Sequence, residues 1–378
     1  MFLTERLISL IVFAGVMGLS LLGISMFRGK QYKIILWSYW LALGGFAFFY
    51  SPHITADLYR LHLFCVNGWC QLDWMNLQDM LKNAAEPMWP LFSWSIYRIT
   101  HNENWIQTVA CLWSFYNVFY IISHTIDAQN VTKYNRALLL FSIMAVGTFY
   151  LEVISGIRSM LSFSILCFCF YRELIEHKSI LRNLPLYIFA ALMHKAGVAL
   201  ILIRFMFEGF FHKNILLKLL SGLAGVGYIF LIATSASQQV ENAINTAITY
   251  STAETEYVYH WEYFIGFIEQ LQIFYILYLY KKQYQKTAFS YTKMGRLTLI
   301  LACICLAALP FSYAIFRRYT IVCSILILPL LGKLLSASNS RYSKMSVQII
   351  WSLSFIIFVL SCARGDLCGY KFFVLGGI

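Results

Sequence analysis

The chain has 378 residues, of which 60% are hydrophobic and only 12% charged, against about a quarter charged in a soluble domain. A soluble core cannot bury that much apolar surface, so lipid must cover part of it, and the chain reads as an all-α, polytopic integral membrane protein whose residues 1–378 form one transmembrane domain. The net charge of +12 does not point to nucleic acid, because no basic stripe interleaves with a soluble domain and loop charge in membrane proteins has another cause.

In chain order, apolar runs predict about twelve spans, at 7–27, 34–50, 104–123, 137–151, 157–171, 184–194, 196–211, 215–235, 263–280, 297–315, 319–335 and 347–363. The first, Leu7 to Phe27, reads as a retained helix rather than a signal peptide. No small-residue cleavage site follows it, and another apolar run starts almost at once. Residues 51–103 form an external segment, too polar in the middle to cross. It ends in Pro87-Met88-Trp89-Pro90-Leu91-Phe92-Ser93-Trp94, an aromatic stretch shorter than a span and suited to the interface or to re-entering the bilayer against protein. Cys65 and Cys70 in that segment permit either a disulfide or two free thiols. Cys362 and Cys368 near the C-terminus pose the same choice. A single helix from 184 to 208 would carry His194-Lys195 in mid-membrane, so the chain is expected to reverse there. Residues 236–262 are the second external segment, with Glu241, Glu254, Glu256 and Glu262 and no Lys or Arg. Other cysteines, such as Cys167, Cys169, Cys303, Cys305 and Cys323, lie in apolar runs and read as small core residues. No CxxC pair and no His/Cys metal spacing occurs.

Basic residues orient the spans. Segments 28–33, 124–136, 172–183, 204–218, 281–296 and 333–344 hold 19 of the 29 Lys and Arg residues. They should face the cytoplasm, with both termini outside. Cations that oppose this rule carry the functional signal. Arg60, Lys82, Arg98, Arg158, Lys195, Arg317, Arg318 and Arg364 lie on the outer side beside apolar spans. A guanidinium offers a rigid fork of donors that matches phosphate, so a phosphate-bearing, membrane-borne substrate is one reading. The other is that each cation snorkels to headgroups or pairs with a carboxylate. Arg317 and Arg318 are adjacent and cannot share one helix face; one is expected to face a cavity and the other headgroups or an acid. Candidate bases are His194, Asp57, Glu86 and Glu152. Each has a structural alternative. His194 could bond a backbone carbonyl, Asp57 could pair with Arg60, Glu86 could begin a helix before Pro87, and Glu152 could pair with Arg158.

Several short elements then fall into an order. Asp57-Leu58-Tyr59-Arg60 follows the second span, and Glu86-Pro87 precedes the aromatic run. Ser155-Gly156-Ile157-Arg158-Ser159 opens a span, Ala191-Leu192-Met193-His194-Lys195-Ala196 sits at a break, and Arg317-Arg318-Tyr319 opens a late span. In that order, from about residue 40 to 320, the chain resembles the EpsG/Wzy-type polysaccharide polymerase family. It departs in having Ser159 after Arg158, where Gln is common, and Phe48-Phe49-Tyr50-Ser51-Pro52-His53 where many members carry an Arg. The resemblance implies a GT-C-like membrane glycosyltransferase architecture in the bacterial cytoplasmic membrane, with its active site facing the periplasm. It implies transfer of a growing glycan from undecaprenyl pyrophosphate to a sugar hydroxyl of a new lipid-linked repeat unit, without cofactor or metal. On it, His194, Asp57 and Glu86 are catalytic candidates, and Arg158, Arg317, Arg318, Arg60, Lys195 and Tyr59 bind substrate. The partners implied are the lipid-linked oligosaccharide, membrane lipid and a chain-length regulator, not nucleic acid. Competing readings are a polysaccharide-repeat flippase, which should show mid-span charges and pseudo-repeat symmetry, and a membrane O-acyltransferase with a deep catalytic His. The spans here read as apolar at mid-depth.

Overall fold

The computed structural model describes residues 2–27, 29–50, 52, 57–146, 149–211, 260–283, 289–309, 313–336 and 341–363. Among these residues every regular element is a helix. Lipid offers a backbone no hydrogen-bond partner, so helices must satisfy their own N–H and C=O groups. Five helical stretches are long and apolar enough to cross a bilayer. They lie in α1 (Phe2–Met26), α6 (Asn104–Gln129), α12 (His260–Gln283), α13 (Phe289–Ala308) and the run of α14 (Tyr313–Leu326) into α15 (Leu328–Ser336). A sixth arises if α7 (Lys133–Met144) and α8 (Phe149–Ser155), bent by 51°, are one broken span. The chain is a helical membrane protein. The remaining expected spans fall on α2 (Tyr32–Phe48), α9 (Ile157–Leu174), α10 (Ile180–Met193), α11 (Lys195–Phe211) and α16 (Arg341–Ala363). Of these, α2, α10 and α11 have 17, 14 and 17 residues. At 1.5 Å per residue they reach about 21–26 Å, short of about 30 Å of hydrocarbon. The expected span 215–235, the external segment 236–262 up to residue 259, Arg364, Cys368 and the side chain of Cys362 lie outside the described residues.

α9 is the axis of the bundle. Nearly every side chain from Ile157 to Leu174 is buried, against α6, α10, α11 and α14. Apolar surface gains nothing by leaving lipid for protein, so close approach and interhelical hydrogen bonds hold such helices together. Asn117 of α6 donates to Ser164 Oγ at 3.2 Å, and Ser162 Oγ donates to the Ala190 carbonyl at 2.8 Å. Gly197, at the start of α11, has no room for a Cβ: one there would meet Ser162 Oγ and the Ala190 carbonyl.

The six basic segments meet at one end of the bundle. Arg136 donates to the Gly29 carbonyl, Lys33 pairs with Asp127 at 2.6 Å, and Gln129 bonds the Tyr291 hydroxyl. Asn135 donates to the Leu335 carbonyl, Lys293 pairs with Glu208, and Arg204 lies beside Glu173. The charge asymmetry of the sequence is therefore a spatial grouping in the fold.

The reversal at His194-Lys195 is present. His194 takes an extended backbone, φ −156° and ψ 127°, between α10 and α11. The two helices then run back to back, with the Tyr187 and Phe205 rings 6.1 Å apart.

The segment expected outside is helical too where it is described. It contains α3 (Asp57–Val66), a 3₁₀ turn at Trp69–Gln71, α4 (Trp74–Asn83) and α5 (Met88–Thr100). Cys65 and Cys70 are joined in a disulfide, with Cα atoms 5.1 Å apart. Indole N–H groups stitch the layer: Trp69 donates to Ser93 Oγ at 2.8 Å and Trp94 to the Leu72 carbonyl at 2.9 Å. An aromatic series of Trp89, Phe92, Trp113 and Phe189 docks α5 on α6 and α10. This docking aims the residue before Pro87 at the α10–α11 break.

A cross-link tests the reversal. With Tyr187→Cys and Phe205→Cys in one chain, a short thiol cross-linker should join the two peptides, read by mass spectrometry after digestion. One continuous helix would hold these positions about 27 Å apart, and the linked peptide would not form.

Candidate active site

A buried carboxylate is costly unless donors meet it, and Glu86 is met by three. It stands in the turn between α4 and α5 with its side chain 13% exposed. Oε2 accepts from Arg158 Nη1 at 2.8 Å. Oε1 accepts from His194 Nδ1 at 2.7 Å and from the backbone N–H of Lys195 at 3.1 Å. That last N–H opens α11, so an acid more than a hundred residues away satisfies an orphan donor of the helix start and sits at its positive end. Burial alone would raise the Glu86 carboxyl. The hydrogen bond and charge of His194, the Lys195 N–H and the Arg158 guanidinium outweigh it and hold the carboxyl at about 2.

Four residues singled out in the sequence thus converge: Glu86, Arg158, His194 and Lys195. The three donors each keep an atom for which no bond to another described residue is seen. Arg158 spends only Nη1 on Glu86, and its side chain is 39% exposed. His194 keeps Nε2, and Lys195, on the exposed surface, keeps Nζ. α14 starts close by. The Phe163 ring lies 6.4 Å from His194 and 5.7 Å from Tyr319, whose hydroxyl donates to the Ala196 carbonyl at 3.4 Å.

Several expectations are corrected. Arg158 pairs with Glu86, not with Glu152; the Glu152 carboxylate lies over Gly156. Glu86 is bonded on both oxygens and strongly acidic, which unfits it as a proton acceptor near neutrality. His194 bonds this carboxylate, not a backbone carbonyl. One of the adjacent arginines meets an acid, as expected: Arg317 is buried in an ion pair with the equally buried Glu269 of α12, which takes it from the substrate-binding candidates and leaves Arg318 as the half-exposed member of the pair. Arg98 donates to the Leu72 carbonyl at 2.6 Å and stacks on Trp94, and Lys82 pairs with Asp79. Tyr59 and Arg60 are exposed on α3 and supply none of the bonds at Glu86. The side chain of Asp57 lies outside the described residues. The spans are not uniformly apolar at mid-depth either: Glu269, Gln270 and Gln272 are buried in α12. A carboxylate inside an apolar run is itself a signal, and Glu269 could have been found by it. Phe163 and Tyr319 carried no such mark.

Comparison with known proteins finds a family. The model of the EpsG family covers residues 70–372. No curated protein and no solved structure matches the chain.

A pH series tests the electrostatics of Glu86. Its folded carboxyl lies below the ordinary value of 4.5, so its ionised bonds stabilise the fold above that pH and are lost as pH falls towards 2. The gap in melting temperature between the native chain and Glu86→Gln should be widest near neutrality and close across that window. A gap that stays constant down to pH 3 would mean that ionised Glu86 contributes nothing there.

Proposed function

The chain belongs to the EpsG family, and from that premise we propose that it is a membrane glycosyltransferase that polymerises lipid-linked oligosaccharide repeat units. The observation that carries the reading is the junction at Glu86, which gathers Arg158, His194 and Lys195 at the end of the bundle opposite the basic segments. In the twelve-span, GT-C-like arrangement inferred from the sequence, that end faces the periplasm.

The donor is the growing glycan on undecaprenyl pyrophosphate, and the acceptor is a hydroxyl of a new lipid-linked unit. The acceptor oxygen bonds to the anomeric carbon as the bond from that carbon to the pyrophosphate breaks. The proton passes to His194 Nε2, and undecaprenyl pyrophosphate departs with the electron pair. Glu86 does not take the proton; it fixes His194 through Nδ1 and so presents the other nitrogen. The developing charge on the leaving group falls to the remaining N–H groups of Arg158, to Lys195 and to Arg318, fixed donors that need no rearrangement as the bond breaks. Residues of α3, Tyr59 and Arg60 with Asp57, lie on the outer layer where the glycan would approach. A flippase would place unpaired charge along its path, whereas the buried charge of α12 is neutralised by Arg317.

The test reads polymer length on a gel. Arg158→Lys keeps a cation for Glu86 but loses the forked donor set. Long chains should fall by about 10²-fold in Arg158→Lys and Arg158→Ala alike, the scale of losing a preorganised donor, with the protein still inserted. His194→Gln should cost about 10²–10⁴. Full-length glycan from Arg158→Lys would reduce Arg158 to an ion pair with Glu86, and full-length glycan from His194→Gln would end its role in proton transfer.

A further inference from the structure

A second polar centre lies at the other end of the α9–α10–α11 group, among the basic segments. The Glu173 carboxylate, 3% exposed, accepts from Asn183 Nδ2 at 3.0 Å and from the Tyr187 hydroxyl at 2.9 Å, with Arg204 Nη2 at 3.6 Å. Arg204, 4% exposed, donates through Nη1 to Glu208 at 3.0 Å, and Lys293 donates to the other Glu208 oxygen at 2.7 Å. A cavity of about 270 Å³ opens beside them. Besides these charges it is lined by His177, Lys178, Leu174 and Ile180.

The donors and acceptors of this cavity do not balance. Both carboxylates are already met by protein donors. The Nε–H of Arg204 is buried behind the cavity wall without a partner, and the exposed Lys178 ammonium, which lines the cavity, has none among the described residues. A cavity with surplus N–H groups favours a guest rich in acceptors and negative charge. The apolar rim says what else the guest carries. From Ile180, Leu184, Ile188 and Leu192, spaced four apart, an exposed apolar stripe runs along α10 away from the cavity. That is an exposed apolar track about one helix long, beginning where the cavity ends. From these two features together we propose that the cavity binds the phosphate of an anionic phospholipid of the leaflet on the basic side, with the acyl chains along α10. The site is separate from the Glu86 junction and does not depend on the polymerase reading. Basic pockets between helices on the cytoplasmic side suit such headgroups.

The test uses the purified full-length protein and native mass spectrometry, with phosphatidylglycerol and phosphatidylcholine as probes. Phosphatidylglycerol should bind the native chain more tightly. Lys178→Gln, an exposed change that leaves the buried pairs intact, should weaken that binding about fivefold, the effect of one juxtamembrane lysine, without changing phosphatidylcholine. Excess inorganic phosphate should fail to displace the lipid, because it lacks the chains that lie along α10. Equal binding of the two lipids, or unchanged phosphatidylglycerol binding in Lys178→Gln, would overturn the site. Displacement by inorganic phosphate would overturn its assignment to a lipid.

Discussion

Three helices of this bundle depend on one carboxylate. Glu86 accepts a guanidinium N–H from the head of α9, an imidazole N–H from the break after α10 and the first backbone N–H of α11. Removed from water, such a group demands partners. Each of these donors would in turn be left wanting without it, because a helix start always leaves N–H groups unmet. The layer of α3, α4 and α5 serves to deliver Glu86. The Cys65–Cys70 disulfide, the Trp69 and Trp94 N–H bonds and the aromatic series from Trp89 to Phe189 together fix α5 on α6 and α10.

The same hairpin is tied at both ends by charge. At the end opposite the basic segments Glu86 joins α5 to α9, α10 and α11. At the basic end Glu173 and Arg204 join α9, α10 and α11, and Glu208 carries the link on to α13 through Lys293. Between them α9 is almost wholly buried and apolar. A short helix such as α10, with 14 residues, does not need a full membrane thickness if protein and ionic junctions cover its ends. On the two proposals made above, sugar transfer falls to one end of the group and lipid phosphate to the other.

Much of the fold was legible in the sequence, because hydropathy and basic loops report how a chain meets lipid. The all-helical class and the reversal at His194-Lys195 follow from that constraint, and the six basic segments meet as their charge implied. The short helices blurred the count of spans, since length is what hydropathy measures and α2, α10 and α11 lack it. The family was legible through the order of short elements, and residues 70–372 match its model. Partnerships were not legible. Glu86 and Arg158 stand 72 positions apart, and no periodicity links them. Glu152 was nearer in sequence and wrong in space. Arg317 and Glu269 were likewise separable only once α12 and α14 had been packed together.

The central claim is that Glu86 holds Arg158 and His194 through shared bonds rather than by mere proximity. A double-mutant cycle measures this directly, using Glu86→Gln, Arg158→Ala and the pair in purified protein, with thermal unfolding as the readout. Shared bonding predicts strong non-additivity, with a coupling of about 0.5–3 kcal/mol as found for residues in contact, and the same for Glu86→Gln with His194→Ala. If the two changes in each cycle simply add, Glu86 is not the junction of these helices, and the site built around it falls.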